Sequence, residues 1–238
     1  MEAGIDWHEQ DTFLKCSFPL AIHAERAASE TQFGHIFRPT HTNTSWEFAK
    51  FETAAHRFVH VAEEGYGAAN VNDSTYGYDI SRSSDDDGAT TTTVRLSLLR
   101  GPQYPDPVAD QGPHTLRYSV VVGAEINDAV QQGYHINLPV RTVAGANDVQ
   151  PLVTVDNPSV VLSAVKLADD RSGDVVVRLY EGGGGQANAA VTPTFGATSV
   201  VSTDLLERPW EDSTVELAEG SVFLSLRPFQ IVTLRFTR

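Results

Sequence analysis

Apolar and polar side chains alternate with a period of two along much of this chain, the signature of strands with one buried face. Val94, Leu96 and Leu98 share one face, against Arg95 and Ser97 on the other. Leu116, Tyr118, Val120 and Val122 likewise oppose Arg117 and Ser119. Val175, Val177 and Leu179 alternate with Val176, Arg178 and Tyr180; Val222, Leu224 and Leu226, then Val232, Leu234 and Phe236, repeat the pattern. Turn-forming clusters separate these runs: Asp85-Asp86-Asp87-Gly88, Gly101-Pro102, Gly112-Pro113, Asp156-Asn157-Pro158, Arg171-Ser172-Gly173-Asp174 and the glycines at 182–185. One stretch reads two ways. Between Pro39 and Gly65 there is neither Gly nor Pro, and Phe51, Ala55, Phe58, Val59 and Ala62 fall at helical spacing. The density of Phe, Val, Thr and Trp around it favours strands.

A small, polar run at 142–148, followed by Pro151, divides the chain. We therefore expect two β units, 1–143 and 150–238, each with sheets packed across one core. Strand-like sequence begins at once, at Ile5 and Phe13, whereas the far end closes on a complete strand at 229–236. The expectation is a truncated N-terminus and a natural C-terminus.

Composition narrows the function. The formal net charge of −14 disfavours nucleic acid and anionic membrane surfaces, whose association is cation-driven. Hydrophobic residues at 41% suffice for a packed core. The single cysteine, Cys16, excludes an internal disulfide and fits a reducing, cytoplasmic setting. No apolar run approaches the ~20 residues of a membrane helix, and no signal peptide is visible.

Candidate chemistry is sparse. Asp85, Asp86 and Asp87 read as a hairpin tip rather than a site. His56 and His60 would share a helix face, or lie about 13 Å apart on a strand, too far for one ion. The glycine run lacks the strand–loop–helix context of a phosphate site. Three loops carry the donors, acceptors and aromatic faces that suit sugar hydroxyls and ring faces. The first holds Arg38, His41, Asn43 and Trp46, the second Asn72, Asp73 and Tyr76, and the third Asp106 and Asp110. Loop bracing by Asn, Asp and Thr is the competing role for all three. No coherent nucleophile, base or metal set is found, so no catalytic and no metal residue is assigned.

Ordered segments along nearly the whole chain resemble the C-terminal half of glycoside hydrolase family 38 α-mannosidases of the bacterial and cytosolic type. They include Asp6-Trp7-His8-Glu9, Phe18-Pro19-Leu20, Gln32-Phe33-Gly34-His35, the run from Arg38-Pro39-Thr40-His41 to Trp46, and Asn72-Asp73-Ser74-Thr75-Tyr76-Gly77-Tyr78-Asp79. Leu98-Leu99-Arg100, Pro105-Asp106-Pro107, Asp110-Gln111-Gly112, Asp156-Asn157-Pro158 and Arg227-Pro228-Phe229 continue the match. The resemblance implies an all-β chain: a central supersandwich-like β-sandwich followed by a smaller C-terminal one. It also implies that the family's zinc and carboxylate nucleophile belong to an absent N-terminal catalytic domain, so none is carried onto these residues. A mannosidase catalytic domain and a mannose-containing glycan are the expected partners, with the three loops proximal to substrate. The competing class is a stand-alone carbohydrate-binding β-sandwich module.

Overall fold

In the computed structural model the alternating runs pair into four antiparallel sheets. The structure describes residues 1–145 and 147–238; within the linking run expected at 142–148, Ala146 lies outside the described residues. The chain forms two units, Met1–Arg141 and Thr142–Arg238.

The first unit contains, in order, β1 (Glu2–Trp7), β2 (Leu14–Leu20), β3 (Arg26–Thr31), β4 (Gly34–Pro39), α1 (Ser45–Phe48), β5 (Thr53–Ala54), β6 (Phe58–Glu63), β7 (Tyr66–Asn72), β8 (Gly77–Ser84), β9 (Thr90–Leu99), β10 (Gly112–Val122) and α2 (Ile126–Asn137). A six-stranded sheet, β1-β10-β7-β6-β3-β4, packs against a four-stranded one, β2-β9-β8-β5. Ala27, Val59, Val61 and Ala68 of the first sheet meet Tyr78, Val94 and Leu96 of the second in one apolar core. Fully buried side chains such as Phe58 and Tyr78 each supply roughly 1.5–3 kcal/mol of apolar transfer free energy.

The ambiguous stretch is not helical at Phe51, Ala55, Phe58, Val59 or Ala62, the residues at helical spacing. Residues 58–63 are strand, as the composition favoured, and a single helical turn, α1, lies upstream. Thr44 caps that turn: its hydroxyl accepts the Glu47 N–H, and the Glu47 carboxylate accepts the Thr44 N–H at 2.9 Å.

Helix α2 was not anticipated. Ala129 and Val130 are buried, and α2 packs on β6 and β7. Gly133 permits the approach, since a β-carbon there would lie 3.1 Å from Arg57 Cβ. A second close approach sits beneath the helix start. A β-carbon on Gly67 would lie 2.5 Å from the Ala124 carbonyl oxygen, which His60 Nε2 contacts at 2.7 Å.

The second unit contains β11 (Val153–Val155), β12 (Val160–Leu167), β13 (Val175–Glu181), β14 (Ala187–Pro193), β15 (Ser199–Thr203), β16 (Val222–Leu226) and β17 (Ile231–Thr237). Sheets β11-β14-β16 and β12-β13-β17-β15 enclose a core containing Val177, Leu179, Val191, Val222, Leu234 and Phe236. The glycine run is a loop held by protein, not by phosphate. Buried Glu181 accepts the N–H groups of Gly183, Gly184 and Phe229 at 2.8–3.1 Å.

Candidate functional site

Strands β4 and β5 are the end strands of the two facing sheets in the first unit, and they do not pair with each other. The sandwich is therefore open along this side. The connection from Thr40 to Glu52, carrying α1, crosses the opening. Arg38 spans it from below, with an NH2 donor 3.4 Å from the Ala54 carbonyl.

The result is a pocket of about 150 Å³. Arg38, Glu47, Lys50 and Asp79 give it charge, His41 adds an imidazole, and Ile36, Tyr78 and Ile80 give it apolar walls. Two of its buried nitrogens lack a hydrogen-bond partner, Arg38 Nε and His41 Nδ1. Glu47 Oε2 lies 3.3 Å from His41 Nδ1, close enough for an ion pair once His41 is protonated but without hydrogen-bond alignment. The Thr44 N–H is the main cause that holds the Glu47 carboxyl below its ordinary range. Glu47 is thus an anion beside His41 and Arg38 at neutral pH.

A charged network borders the pocket on the outer face of the four-stranded sheet. Lys15 bonds both Asp79 and Glu52, the latter at 2.6 Å. Arg95 Nε donates to Asp79 at 2.7 Å, and Ser97 donates to Glu52. These groups neutralise one another, so the network positions the loop without engaging Arg38 Nε or His41 Nδ1.

On the outside of the same loop the surface is apolar. Trp46 is 79% exposed, Phe48 75% and Phe51 82%. A capped helical turn fixes the first two, so they are displayed by an ordered element.

The nine residues predicted to be near substrate meet different fates. Arg38 and His41 come together in the pocket. Asn43 and Trp46 lie on the loop but outside the pocket, facing solvent. Asn72 is buried, and its Oδ1 accepts the N–H groups of Ser74 and Thr75 while its Nδ2 donates to the His56 carbonyl. Asp73 pairs with Arg117 at 2.7 Å; burial pushes its carboxyl upward, but the Arg117 hydrogen bonds prevail and hold it low. Tyr76 is exposed and lies against His56, ring centroids 5.5 Å apart. Asp106 accepts the Val108 N–H, and Asp110 accepts the Arg100 and Gly101 N–H groups at 2.9 Å each. Those two donors hold the Asp110 carboxyl below its ordinary range. Glu47, Lys50 and Asp79 were not anticipated in the pocket, nor Phe48 and Phe51 on the ridge. The Thr44-x-x-Glu47 spacing was the available signal, being that of a capping box. Among the described residues no group of three His, Cys, Asp or Glu side chains is placed to hold a metal ion, and no helix is long and apolar enough to cross a membrane.

Comparison with known proteins assigns this architecture. The model of the glycosyl hydrolases family 38 C-terminal domain matches residues 1–108, and that of the family's C-terminal β-sandwich domain matches residues 159–234. Alpha-mannosidase 2C1 of Homo sapiens is 34% identical over 97% of this chain, and the alpha-mannosidase of Saccharomyces cerevisiae is 32% identical over the same share. The chain spans only 22% and 23% of those two relatives' lengths. A solved alpha-mannosidase structure from Enterococcus faecalis superposes with a TM-score of 0.74 at 22% identity, covering 99% of this chain and 27% of that one. With both matches in the family's own order, the chain belongs to glycosyl hydrolases family 38, as the C-terminal β-sandwich region of its members.

Proposed function

We propose that this chain is the non-catalytic C-terminal support of an α-mannosidase acting on terminal α-mannosyl residues. In this reading it docks the catalytic portion through the Trp46, Phe48 and Phe51 ridge and lends Arg38 and His41 to the rim of the sugar site. The ridge is the observation that carries it. Three aromatic side chains at 75–82% exposure leave roughly 450 Å² of apolar surface in water, taking 150–250 Å² per aromatic side chain. At about 25 cal/mol per Å², covering it is worth on the order of 10 kcal/mol before the costs of association. Three exposed aromatic side chains gathered on one short connection support an interaction surface there. The pocket supports the other half of the reading. At about 150 Å³ it falls below the ~300 Å³ at which whole ligand sites begin, as one wall of a larger cleft would. Zinc, if the activity uses it, would be held by the catalytic portion.

A chimera tests the proposal: this chain replaces the C-terminal region of a family member, and hydrolysis of a chromogenic α-mannoside is followed. The chimera should turn over and the isolated chain should not. In the chimera, replacing Trp46, Phe48 and Phe51 together with Ser should loosen the contact between the two portions, seen as faster limited proteolysis, and lower turnover at least tenfold. The isolated triple variant should still melt within about 2 °C of wild type, because exposed side chains contribute little to folding. Turnover by the isolated chain, or a fully active triple-variant chimera, would refute it.

A further inference from the structure

The second unit is also open on one side. Among the described strands β15 pairs with β17 alone and β16 with β14 alone, so the two sheets part beyond β15, which ends at Thr203. The long connection between β15 and β16 folds across this gap and leaves a groove of about 930 Å³. That lies within the ~300–1,000 Å³ that small-ligand sites occupy. All of its walls come from residues 202–233.

The lining has two textures. Trp210 and Phe223 border the groove at 55% and 65% exposure, and Ile231 and Val232 continue the apolar surface. Between them stand polar groups. Some are committed to the fold: Asp204 pairs with Arg208 at 2.6 Å, Ser202 donates to Ser213, and Thr233 accepts Arg178 Nε. Thr214 and Glu216 bring side-chain oxygens that no other described residue engages. Ser225 keeps its lone pairs while donating to Asn188.

Exposed aromatic faces flanked by hydroxyl and carboxylate acceptors match one ligand chemistry best. A sugar presents apolar C–H faces to the rings and hydroxyl donors to the oxygens. An anionic ligand is disfavoured by the net charge of −14 and by Glu216, whose charge no cation of the groove cancels, since Arg208 is taken by Asp204. A wholly apolar ligand would strand the Thr214 and Glu216 oxygens without partners. We propose that this groove binds a neutral oligosaccharide, as a second sugar site separate from the Arg38–His41 pocket. The class of ligand rests on the glycoside hydrolase reading above, but the site belongs wholly to this chain.

The test therefore uses the chain alone and reads binding, not turnover. In a W46F background Trp210 is the exposed tryptophan, since Trp7 is buried. Titration with α-mannobiose and α-mannotriose should change its fluorescence saturably, with a Kd between about 0.1 and 10 mM, the weak range expected of an open groove. In calorimetry on the wild type, W210A should weaken binding at least tenfold, and E216Q and T214V about threefold each. Because Trp210 touches β15 through its backbone N–H, the E216Q and T214V pair keeps the test valid if W210A unfolds. No saturable signal with either sugar, or unchanged affinity in both E216Q and T214V, would overturn the proposal. A chimera that is active despite a failed titration separates the loss of this site from the loss of the mannosidase reading.

Discussion

Removing the Glu30 carboxylate should cost the first unit more than any surface change of similar size. Glu30 on β3 is 2% exposed. Its Oε2 accepts the Arg57 backbone N–H at 2.6 Å and Arg57 Nε at 3.1 Å, and its Oε1 accepts the other arm of the guanidinium. Arg57 lies 3.7 Å over the Tyr134 ring, so one pair ties β3, the entry to β6 and α2 together. Burial alone would lower the Arg57 pKa, yet the Glu30 carboxylate outweighs it and holds the guanidinium well above its ordinary value. In E30A a cation, a backbone N–H and a ring contact lose their anchor at once. Breaking a buried pair by removing one partner costs about 3–5 kcal/mol; the Arg57 side chain is 22% exposed and can partly rehydrate, which places E30A near 3 kcal/mol. At ~2–4 °C per kcal/mol for a domain of this size, the melting temperature should fall by about 6–12 °C. E30Q, which keeps one acceptor, should lose less than half as much. Urea denaturation followed by circular dichroism would measure both. An E30A variant within 1 kcal/mol of wild type would show that the pair neither anchors α2 nor stabilises the sheet.

His60 supplies a pH dependence. Burial lowers its pKa below the ordinary 6.5, against the weaker upward pull of the Ala124 carbonyl, Asp128 and Glu125. The folded state thus favours neutral imidazole, and its contribution is present above pH 6.5 and lost as pH falls through the lowered folded value. Thermal melts from pH 7.5 downward should show stability dropping below pH 6.5, with a flatter profile in H60Q; identical profiles would remove His60 as the cause. Asp110 is the loop test. D110A should cost about 1 kcal/mol by stranding the Arg100 and Gly101 N–H groups, and D110N less, since Asn also tolerates the left-handed backbone there, φ 62°. Urea midpoints measure both; a D110A midpoint equal to wild type would refute the brace.

Period-two alternation made strands such as β9 and β16 legible because they pack one face on a core, whereas β13 buries residues on both faces, Val177 and Leu179 on one and Val176 and Tyr180 on the other. The runs at 116–122, 175–180, 222–226 and 232–236 fall in strands, as does that at 94–100 up to Leu99. Helix α2 stayed hidden for a physical reason. Its fully buried residues are Ala129, Val130 and Gly133, too small to stand out as a hydrophobic stripe, and Asn127, Gln131, Gln132, His135 and Asn137 interrupt the larger Ile126, Tyr134 and Ile136. Its signals were the Glu125-x-x-Asp128 cap, with Asp128 accepting the Glu125 N–H at 2.9 Å, and a glycine where β-sheet and helix must touch. The order of strands in each sheet was not legible at all. Alternation says which face a strand buries and nothing about its neighbour, so β10 pairing with both β1 and β7 had no local signature.

The same limit governs the sites. Asn, Asp, Thr and His recognise sugars and brace loops with the same atoms, so residue type alone cannot separate the two roles. What separates them is whether those atoms are already spent. Asn72 has given its carboxamide to three backbone groups, and Asp110 has given a carboxylate oxygen to two. A ligand seeking these atoms would have to break bonds that hold the loops. Arg38 Nε is buried without a hydrogen-bond partner and His41 Nδ1 has only the unaligned Glu47 carboxylate beside it, and an uncompensated buried polar atom is costly unless something else completes it. Trp46 makes the converse case. Its neighbours on the loop leave 79% of it in water, where a core tryptophan such as Trp7 keeps 8%. Unspent donors inside the opening and uncovered rings outside it sit on one short connection, 40–52. Under the proposed function, a second surface laid over that connection would cover the rings and close the pocket with the same contact, so Trp46, Arg38 and His41 would belong to one interface rather than to separate sites.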